Sequence, residues 1–423
     1  GAAGFQKRKE GRTMKKMWKR FVSLLLACTL LAGMLPLSAS AAVSAPTEDS
    51  QWITEKIKEI NAGLEQGEQY HRGNYYKLGD SDLYRLTFTR TIDTETATIT
   101  DAVIFIVPGT DANENNSSIP DYNSLGETPW EESSASAVYI ADGVTGIGNH
   151  AFDGMSTLET LEIQNPGSLT RIGEHAFNGC DKLVGPLNLS GVTEMGEYAF
   201  NGCERLGSGE DNEGVKLSDN LTKIPENAFS SCGLKNVNIP TRCTEIGNNA
   251  FANNSLSQIA ALVLPEGLTT IGDNAFSLTM GEGDTSSGIT SLTIPSTVTS
   301  IGVDAFSGRR NLQTVTVKDD KKADTKLNLG DGAFGFNEFT AYSKQGSITD
   351  ENEITYNGLL GTTFYLPADL VDTFKNGENC FTGDISPMEY VNTVPPTCTT
   401  NGYHIYKTTI SGAISGEGQP VVV

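Results

Sequence analysis

Charged residues are scarce in this chain of 423 residues: they make up 19%, below the roughly 25% that is usual in soluble proteins. Aromatic residues reach only 8%, and there are four histidines and three tryptophans. The low charge argues against a coiled coil and against long exposed helices, both of which are rich in charged positions. Glycine is abundant at 45 residues, which favours a turn-rich, largely β architecture.

Motifs of the common catalytic sites are missing from the sequence. It contains no Gly-x-Ser-x-Gly elbow, no His-Glu-x-x-His helix, no phosphate-cradling loop and no paired Cys-x-x-Cys. We therefore predict no catalytic residues, no cofactor and no resident metal. An enzyme domain within residues 42–135 remains only as an alternative.

Basic residues are few outside the start of the chain. Residues 1–41 carry eight of them and one acid, which leaves 22 basic and 51 acidic residues, a net charge of −29, for residues 42–423. Such an acidic surface repels phosphate backbones and anionic lipid headgroups. Nucleic acids and membranes are therefore excluded as predicted partners.

The first residues have the features of an export signal. Residues 14–20 are basic, residues 21–37 are mostly apolar, and Ala39-Ser40-Ala41 fits a small-x-small cleavage site. We interpret residues 14–41 as a signal peptide. Residues 1–13 precede Met14 and are interpreted as upstream or non-native sequence without function.

A six-residue phrase, typically Ile-Gly-x-x-Ala-Phe, recurs through the middle of the chain. Its successive Phe residues are 22 to 30 positions apart. Recurrence at intervals of this length is the signature of stacked repeats, so we predict a solenoid. The eight copies, of which the last is degraded, are residues 147–152, 172–177, 195–200, 224–229, 246–251, 271–276, 301–306 and 329–334.

A second pattern lies between the phrases. An apolar residue is followed at the third and fifth positions by two more, as in Ile289, Leu292 and Ile294. The last two have the period of a strand with one buried face. Each repeat thus supplies one short strand, and stacking places equivalent residues about 4.8 Å apart. Phe251 should then pack between Phe229 and Phe276.

The combined pattern resembles the BspA-like leucine-rich repeats of bacterial surface proteins. Residues 289–306, Ile-Thr-Ser-Leu-Thr-Ile-Pro-Ser-Thr-Val-Thr-Ser-Ile-Gly-Val-Asp-Ala-Phe, match that pattern nearly throughout. The resemblance extends from near Ala137 to near Phe334. It implies a β-rich, right-handed, curved solenoid with a parallel sheet on its concave face, in a secreted or surface-exposed protein. One departure is Pro225, which replaces a repeat glycine.

The flanks lack the repeat. Residues 51–65 have apolar residues at helical spacing and predict a helix, residues 83–89 and 102–107 read as strands, and residues 111–134 read as a loop. The predicted regions are a small α+β region (42–135), the solenoid (136–345), a C-terminal cap (346–385) and a linker or partial surface module (386–423).

The last regions carry two further resemblances. Residues 364–374 resemble the strand, proline and short helix that close such arrays, and residues 394–403 resemble a Cys-Thr-x-x-Gly-Tyr module of Gram-positive surface proteins. The chain stops at Val423 with no anchor motif, as a fragment of a longer protein would.

Cysteines recur at one repeat position. Cys180, Cys203 and Cys232 each follow a repeat Phe by three residues, so we expect them to stack inside the solenoid. Buried free thiols are the favoured interpretation, and a disulfide between neighbouring repeats is the alternative.

The fourth position of the phrase holds polar residues. His150 and His175 stand there in the first two copies, with Glu174 beside the second. Solvated surface is the favoured interpretation, and a metal-binding pair is the alternative. Later copies have asparagine, at Asn227, Asn249 and Asn274, for which we predict a ladder of amide hydrogen bonds.

Outward residues of the concave strands are the candidate binding residues. All are polar and none is aromatic, so no obvious anchor for a tight interface stands out. For each of them the alternative is an ordinary solvated strand position. They are Glu162, Asn188, Lys216, Asn238, Thr293 and Thr316.

These observations predict a secreted or cell-surface leucine-rich repeat protein that binds a protein, matrix or glycan ligand noncovalently, in the manner of an adhesin. No membrane insertion is expected after signal cleavage. A second hypothesis makes the array a passive cell-wall spacer or scaffold for a domain absent from this chain.

We predict that the mature protein begins near Ala42, because the basic, apolar and small-residue sections occur in the order that signal peptidase requires. N-terminal sequencing of exported protein measures this directly. A start at a lipidated Cys28, which follows Leu25-Leu26-Ala27, or retention of Met14 as part of a membrane anchor, would contradict it.

Overall fold

Short parallel strands, two in most repeats, stack along the described chain and are joined by turns. The computed structural model describes residues 44–64, 69–93, 98–110, 117–130, 134–208, 214–279, 288–309, 311–312, 314–318, 327–334, 363–366, 389–394 and 403–407. The predicted signal peptide, Cys380 and Cys398 lie outside these residues. The β-rich solenoid predicted from the sequence is confirmed.

The described elements comprise one α-helix and 21 strands. In chain order they are α1 (Gln51–Ala62), β1 (His71–Lys77), β2 (Leu83–Asp93), β3 (Thr98–Pro108), β4 (Ala135–Ile140), β5 (Gly146–Ile147), β6 (Thr160–Ile163), β7 (Arg171–Ile172), β8 (Leu187–Leu189), β9 (Glu194–Met195), β10 (Val215–Leu217), β11 (Lys223–Ile224), β12 (Glu245–Ile246), β13 (Ala261–Val263), β14 (Thr270–Ile271), β15 (Ser291–Ile294), β16 (Ser300–Ile301), β17 (Thr314–Val317), β18 (Asn328–Leu329), β19 (Thr363–Leu366), β20 (Glu389–Val394) and β21 (Tyr403–Lys407). A short 3₁₀ turn spans Leu125–Glu127.

The first strand of each repeat is the one that the apolar pattern predicts. In β15, Leu292 and Ile294 are buried while Ser291 and Thr293 are partly exposed. Equivalent residues pair in register along parallel neighbours, so that Leu292 lies between Leu262 and Val315. This sheet, the long-strand sheet, is built from three paired stretches: β4–β6, β8–β10 and β13–β15–β17–β19.

The Ile-Gly part of the phrase forms a second, narrower sheet of two-residue strands. In six copies the glycine N–H donates to the isoleucine carbonyl of the preceding repeat, as from Gly272 to Ile246 at 2.8 Å. Pro225 has no N–H and cannot donate to Met195. The narrow sheet is split at that point into β5–β7–β9 and β11–β12–β14–β16–β18.

The repeat glycine is required because neighbouring backbones approach closely. A Cβ atom built on Gly272 would lie 2.6 Å from the backbone nitrogen of Asn248, a distance that real Cβ atoms do not adopt. Gly267, in the same repeat, has open space instead, since its nearest neighbour would be the Cys243 carbonyl oxygen at 3.9 Å. Close stacking therefore selects glycine at the first position and not at the second.

A column of aromatic rings runs through the core. Phe251 is fully buried, with ring centroids 5.7 Å from Phe229 and 5.4 Å from Phe276, so the predicted packing is confirmed. Trp130 begins the column: it stacks on Phe152 at 4.8 Å, and its indole N–H donates to the Ala151 carbonyl at 2.7 Å. The column members are Trp130, Phe152, Phe177, Phe200, Phe229, Phe251, Phe276, Phe306 and Phe334.

The fourth position of the phrase has a left-handed backbone. Its φ lies between 52° and 58° at His150, His175, Tyr198, Asn227, Asn249, Asn274 and Asp304. Asparagine, aspartate and histidine are the non-glycine residues most often found there. The structure thus explains these asparagines by backbone conformation and not by the predicted amide ladder. A ladder of side-chain acceptors exists one residue earlier, where Asn248 Oδ1 accepts from Asp273 N at 2.9 Å.

The cysteine position supplies hydrogen-bond donors to the core. Cys180, Cys203 and Cys232 are free and buried, which confirms the favoured interpretation of the thiols. Cys203 Sγ donates to the Phe177 carbonyl of the preceding repeat at 3.2 Å. Burial raises the pKa of Cys180 and Cys203 well above the usual value, so these thiols stay protonated. Asn254 takes the same position in a later repeat and donates to the Phe229 carbonyl at 2.7 Å.

The N-terminal region continues the long-strand sheet. Helix α1 and strands β2 and β3 confirm the predicted helix and strands, whereas β1 was not predicted. Strands β1, β2 and β3 are antiparallel, and β3 then pairs in parallel with β4. The sheet thus crosses the predicted boundary between residues 135 and 136, and the predicted region limits stay predictions.

Residues 117–130 of the predicted loop contain no strand or α-helix, as expected, but their backbone is hydrogen-bonded to the first repeat. Ile119 N donates to Gly146 O and Tyr122 N donates to Asn149 O, both at 2.9 Å. The second bond matches the one by which His150 N contacts Glu174 O in the next repeat. Residues 119–122 therefore form a degenerate repeat turn ahead of the first recognisable copy.

The C-terminal strands extend the other end of the long-strand sheet. Strand β19 pairs in parallel with β17, β21 pairs antiparallel with β19, and β20 pairs antiparallel with β21. Residues 367–374 of the predicted closing element lie outside the described residues.

Replacement of Phe251 by alanine is expected to lower the free energy of unfolding by about 3 to 5 kcal/mol, because it opens a cavity between two stacked rings. Thermal or urea melts measure the loss. Thr293→Ala is the control, since Thr293 is partly exposed on the long-strand sheet. Equal stability of the two variants would contradict the packing described above.

Gly272→Ala is expected to destabilise the chain by about 1 to 3 kcal/mol, because the added methyl group forces neighbouring backbones apart. Gly267→Ala adds the same atom in open space and serves as the matched control. Urea denaturation of both variants tests this. A Gly272→Ala variant as stable as the control would show that the repeats are not held at this spacing.

Candidate binding face

The outward side of the long-strand sheet carries the predicted binding residues, and we call it the strand face. Register places Tyr139 opposite Glu162, Asn188 opposite Lys216, and Thr293 between Val263 and Thr316. Backbone pairing then places Tyr365 next to Thr316. The strand face therefore includes Tyr139 and Val263 beside the predicted residues.

Helix α1 covers the N-terminal end of the strand face. Trp52 lies edge-on to Tyr139 at 6.4 Å between ring centroids, and the Lys56 ammonium lies 5.9 Å from the same ring. Tyr139 is buried as a result. Lys56 Nζ is 3.0 Å from Glu162 Oε2, so this predicted binding residue is paired within the chain.

The charge of Lys56 is stabilised where it lies. Burial opposes the charged form, but hydrogen bonds to Glu162 and Glu59 outweigh it and raise the pKa of Lys56 above its usual value. Lys56 therefore stays protonated and keeps α1 on the strand face. A ligand that uses Glu162 would have to compete with this ion pair.

The two predicted asparagines hold backbone groups. Asn238 Oδ1 accepts from Leu217 N at 2.9 Å and Asn238 Nδ2 donates to Leu217 O at 3.2 Å. Backbone pairing between β10 and residues 236–239 is limited to a single bridge between Val215 and Val237. The side-chain amide of Asn238 therefore bonds backbone groups of β10 that would otherwise pair with a neighbouring strand. Asn188 Oδ1 accepts from Ser190 N at 3.1 Å in a local turn.

The remaining candidates differ in their exposure, and Thr293 lies beside an exposed apolar residue that was missed. Lys216 is exposed, and Thr293 and Thr316 are partly exposed. Val263 lies on the same face and is 64% exposed. Val263 is difficult to recognise in the sequence because it lies within the apolar run Ala261-Leu262-Val263-Leu264. Leu262 and Leu264 are both buried. Since side chains alternate between the two faces of a strand, Val263 between them points outward.

A cavity of about 450 Å³ opens beside the covered end of the strand face. Trp52 and Tyr75 contribute aromatic surface, and Asp142 and Gln164 contribute polar groups. Asp142 Oδ1 accepts from Ser168 Oγ at 2.6 Å, and this bond contributes most to lowering the pKa of Asp142. Aromatic surface beside a fixed carboxylate suits a sugar ring or a cationic side chain.

One cluster among the described residues has the composition of a metal site. His150 and His175 stack with ring centroids 4.8 Å apart, and Tyr198 continues the stack at 4.6 Å. Both histidine side chains are only 25% exposed, so solvated surface describes them incompletely. His150 contacts Asp153 at 2.7 Å, a carboxylate that the sequence analysis did not consider.

Among the described residues, no helix combines the length and the apolar character that a membrane span requires.

Comparison with known proteins gives one family. Residues 123–210, 208–322 and 283–359 match the model of the BspA type leucine-rich repeat region, with six copies. No curated protein matches the chain.

Several solved structures are similar. A leucine-rich cell surface protein from Faecalibacterium prausnitzii A2-165 has 21% identity over 62% of this chain and 74% of its own, with a TM-score of 0.36. A leucine-rich repeat protein of T. pallidum has 23% identity over 55% and 80%, with a TM-score of 0.30. The pneumococcal vaccine antigen PcpA has 14% identity over 63% and 95%, with a TM-score of 0.28.

Proposed function

This chain belongs to the BspA-type leucine-rich repeat family, and on that premise we propose that it is an exported surface protein that binds another protein noncovalently through its strand face. The binding region is the part of that face between β10 and β17. It needs neither a cofactor nor a metal. Export itself is part of the proposal and is supported by the signal-like residues 14–41.

The observation that carries the proposal is the exposure of Val263. Among the described residues, the exposed large apolar side chains are Tyr76 of β1 and, within the repeats, Val263 and Val303. Val263 pairs with Thr293 on the neighbouring strand, and parallel pairing fixes both strands. A rigid surface with a central apolar residue and a polar surround has the composition of a protein interface.

The charge of the chain supports a partner with a basic surface. Residues 42–423 carry a net charge of −29, which attracts cationic proteins and accelerates their association. Small side chains at Thr293 and Thr316 leave the face flat, so the partner would contribute the larger anchoring side chains. Affinity would then depend on shape and on ionic strength.

The scaffold hypothesis is the alternative. In that case the repeats hold a further domain away from the cell wall, and no residue of the strand face contributes binding energy. An enzyme domain in residues 42–135 is a weaker alternative, because those described residues form a sheet and helix that continue the repeat array.

Val263→Glu is expected to weaken binding of a surface partner at least about tenfold, because it places a charge in a desolvated interface. The partner is captured from host or bacterial surface fractions on the full chain, and its affinity is then measured by biolayer interferometry. EDTA in the buffer is expected to leave the affinity unchanged.

Val303→Glu is the matched control. Val303 is also exposed but lies on the turn after β16, and glutamate already occupies the equivalent positions Glu174 and Glu197. Glutamate likewise occupies the position of Val263 in β6, at Glu162, so both variants should fold. Equal affinity of the two variants, or the absence of any retained protein, would replace the binding proposal by the scaffold hypothesis.

A further inference from the structure

The cluster of His150, Asp153 and His175 lies on the turn side of the first two repeats, away from the strand face. One ligand atom from each residue lies within 4.8 Å of the other two. His150 Nδ1 and Asp153 Oδ2 are 2.7 Å apart, and the two imidazole planes differ by only 8°. Imidazole nitrogen and carboxylate oxygen are the ligands that zinc and its neighbours prefer.

The repeat backbone fixes the two histidines. Both have φ of 54° at the same repeat position. His150 N donates to Glu174 O at 2.8 Å, and His175 N donates to Glu197 O at 2.9 Å. Only the side-chain torsions of these residues remain free to adjust.

The carboxylate is oriented by a chain of amides. Asp153 Oδ1 accepts from Asn178 Nδ2 at 2.9 Å, and Asn178 Oδ1 accepts from Asn201 Nδ2 at 2.9 Å. These bonds use one carboxylate oxygen and direct the other, Oδ2, at the imidazole of His150. Outer hydrogen bonds of this kind orient the ligands of metal sites.

The fold does not require this combination of residues. Asparagine adopts the same left-handed backbone conformation at the equivalent positions Asn227, Asn249 and Asn274. The position of Asp153, one residue after the repeat Phe, is taken by serine in later copies, at Ser230 and Ser277. Two stacked imidazoles with an aligned carboxylate are therefore not explained by the repeat alone.

We propose that His150, Asp153 and His175 bind a divalent first-row transition metal ion such as Zn²⁺. Bond lengths of about 2.0 to 2.2 Å in a tetrahedral site place the ligand atoms roughly 3.3 Å from one another. The hydrogen bond between His150 and Asp153 opens as the ion enters, and the His175 ring turns out of the parallel stack. Water completes the coordination.

The surrounding charge favours a cation. Glu174 Oε1 lies 3.6 Å from His175 Nε2 and adds a second carboxylate beside the site. The strongly acidic chain raises the local concentration of cations. Arg171, a cation of the same repeat as His175, is paired with Asp121 at 3.5 Å.

Isothermal titration of the full chain with Zn²⁺ tests the site. We expect one ion per chain at this site, and His150→Asn and His175→Asn should each weaken its binding by more than about tenfold, since each removes a ligand. Asparagine stands at this position in later copies, so both variants keep the backbone conformation. Asp153→Ser, which copies Ser230, should have a similar effect.

Two further measurements separate this site from others. His71→Asn removes a histidine of β1 and should leave Zn²⁺ affinity unchanged. Co²⁺ in place of Zn²⁺ should give visible absorption bands that disappear in His175→Asn. Zn²⁺ affinity unaltered in all three cluster variants, or loss of binding in His71→Asn alone, would overturn the proposal.

Discussion

Backbone hydrogen bonds between successive repeats set the spacing on which the remaining structure depends. Phe251 N donates to Ala275 O and Gly272 N donates to Ile246 O, both at 2.8 Å. A buried backbone group without such a partner is costly, so each repeat must lie directly on the next. The same spacing excludes a Cβ at Gly272, and it brings successive Phe rings within 5.7 Å of each other.

Stacking also creates a problem at the two ends, where the last repeat has no neighbour. At the N-terminal end Trp130 covers the ring of Phe152 and β3 supplies a parallel partner for β4, while β1 and β2 extend that sheet in antiparallel fashion. At the other end β19 continues the parallel sheet before antiparallel strands follow. Change from parallel to antiparallel pairing accompanies the end of the repeats on both sides.

Interior positions are thus restricted to side chains that fit the stack, whereas outward positions vary more freely. At one interior position Cys203 and Asn254 donate to equivalent carbonyls of the preceding repeat, so different side chains there make the same bond. Outward positions escape this demand. Val263 on the strand face and the pair His150 and His175 on the turn side can therefore serve binding without a change in the fold.

The sequence alone determined the repeats, the buried side of each strand, the Phe column and α1, because these depend on periods that map directly onto a stack. It also placed Glu162, Lys216 and Thr293 on one face. Only the tertiary structure decided that Lys56 pairs with Glu162 and that Asp153 meets His150. It also decided that residues 119–122 act as a repeat turn. Such contacts depend on which side chains distant segments bring together and on the rotamers of those side chains, and a repeat period in the sequence specifies neither.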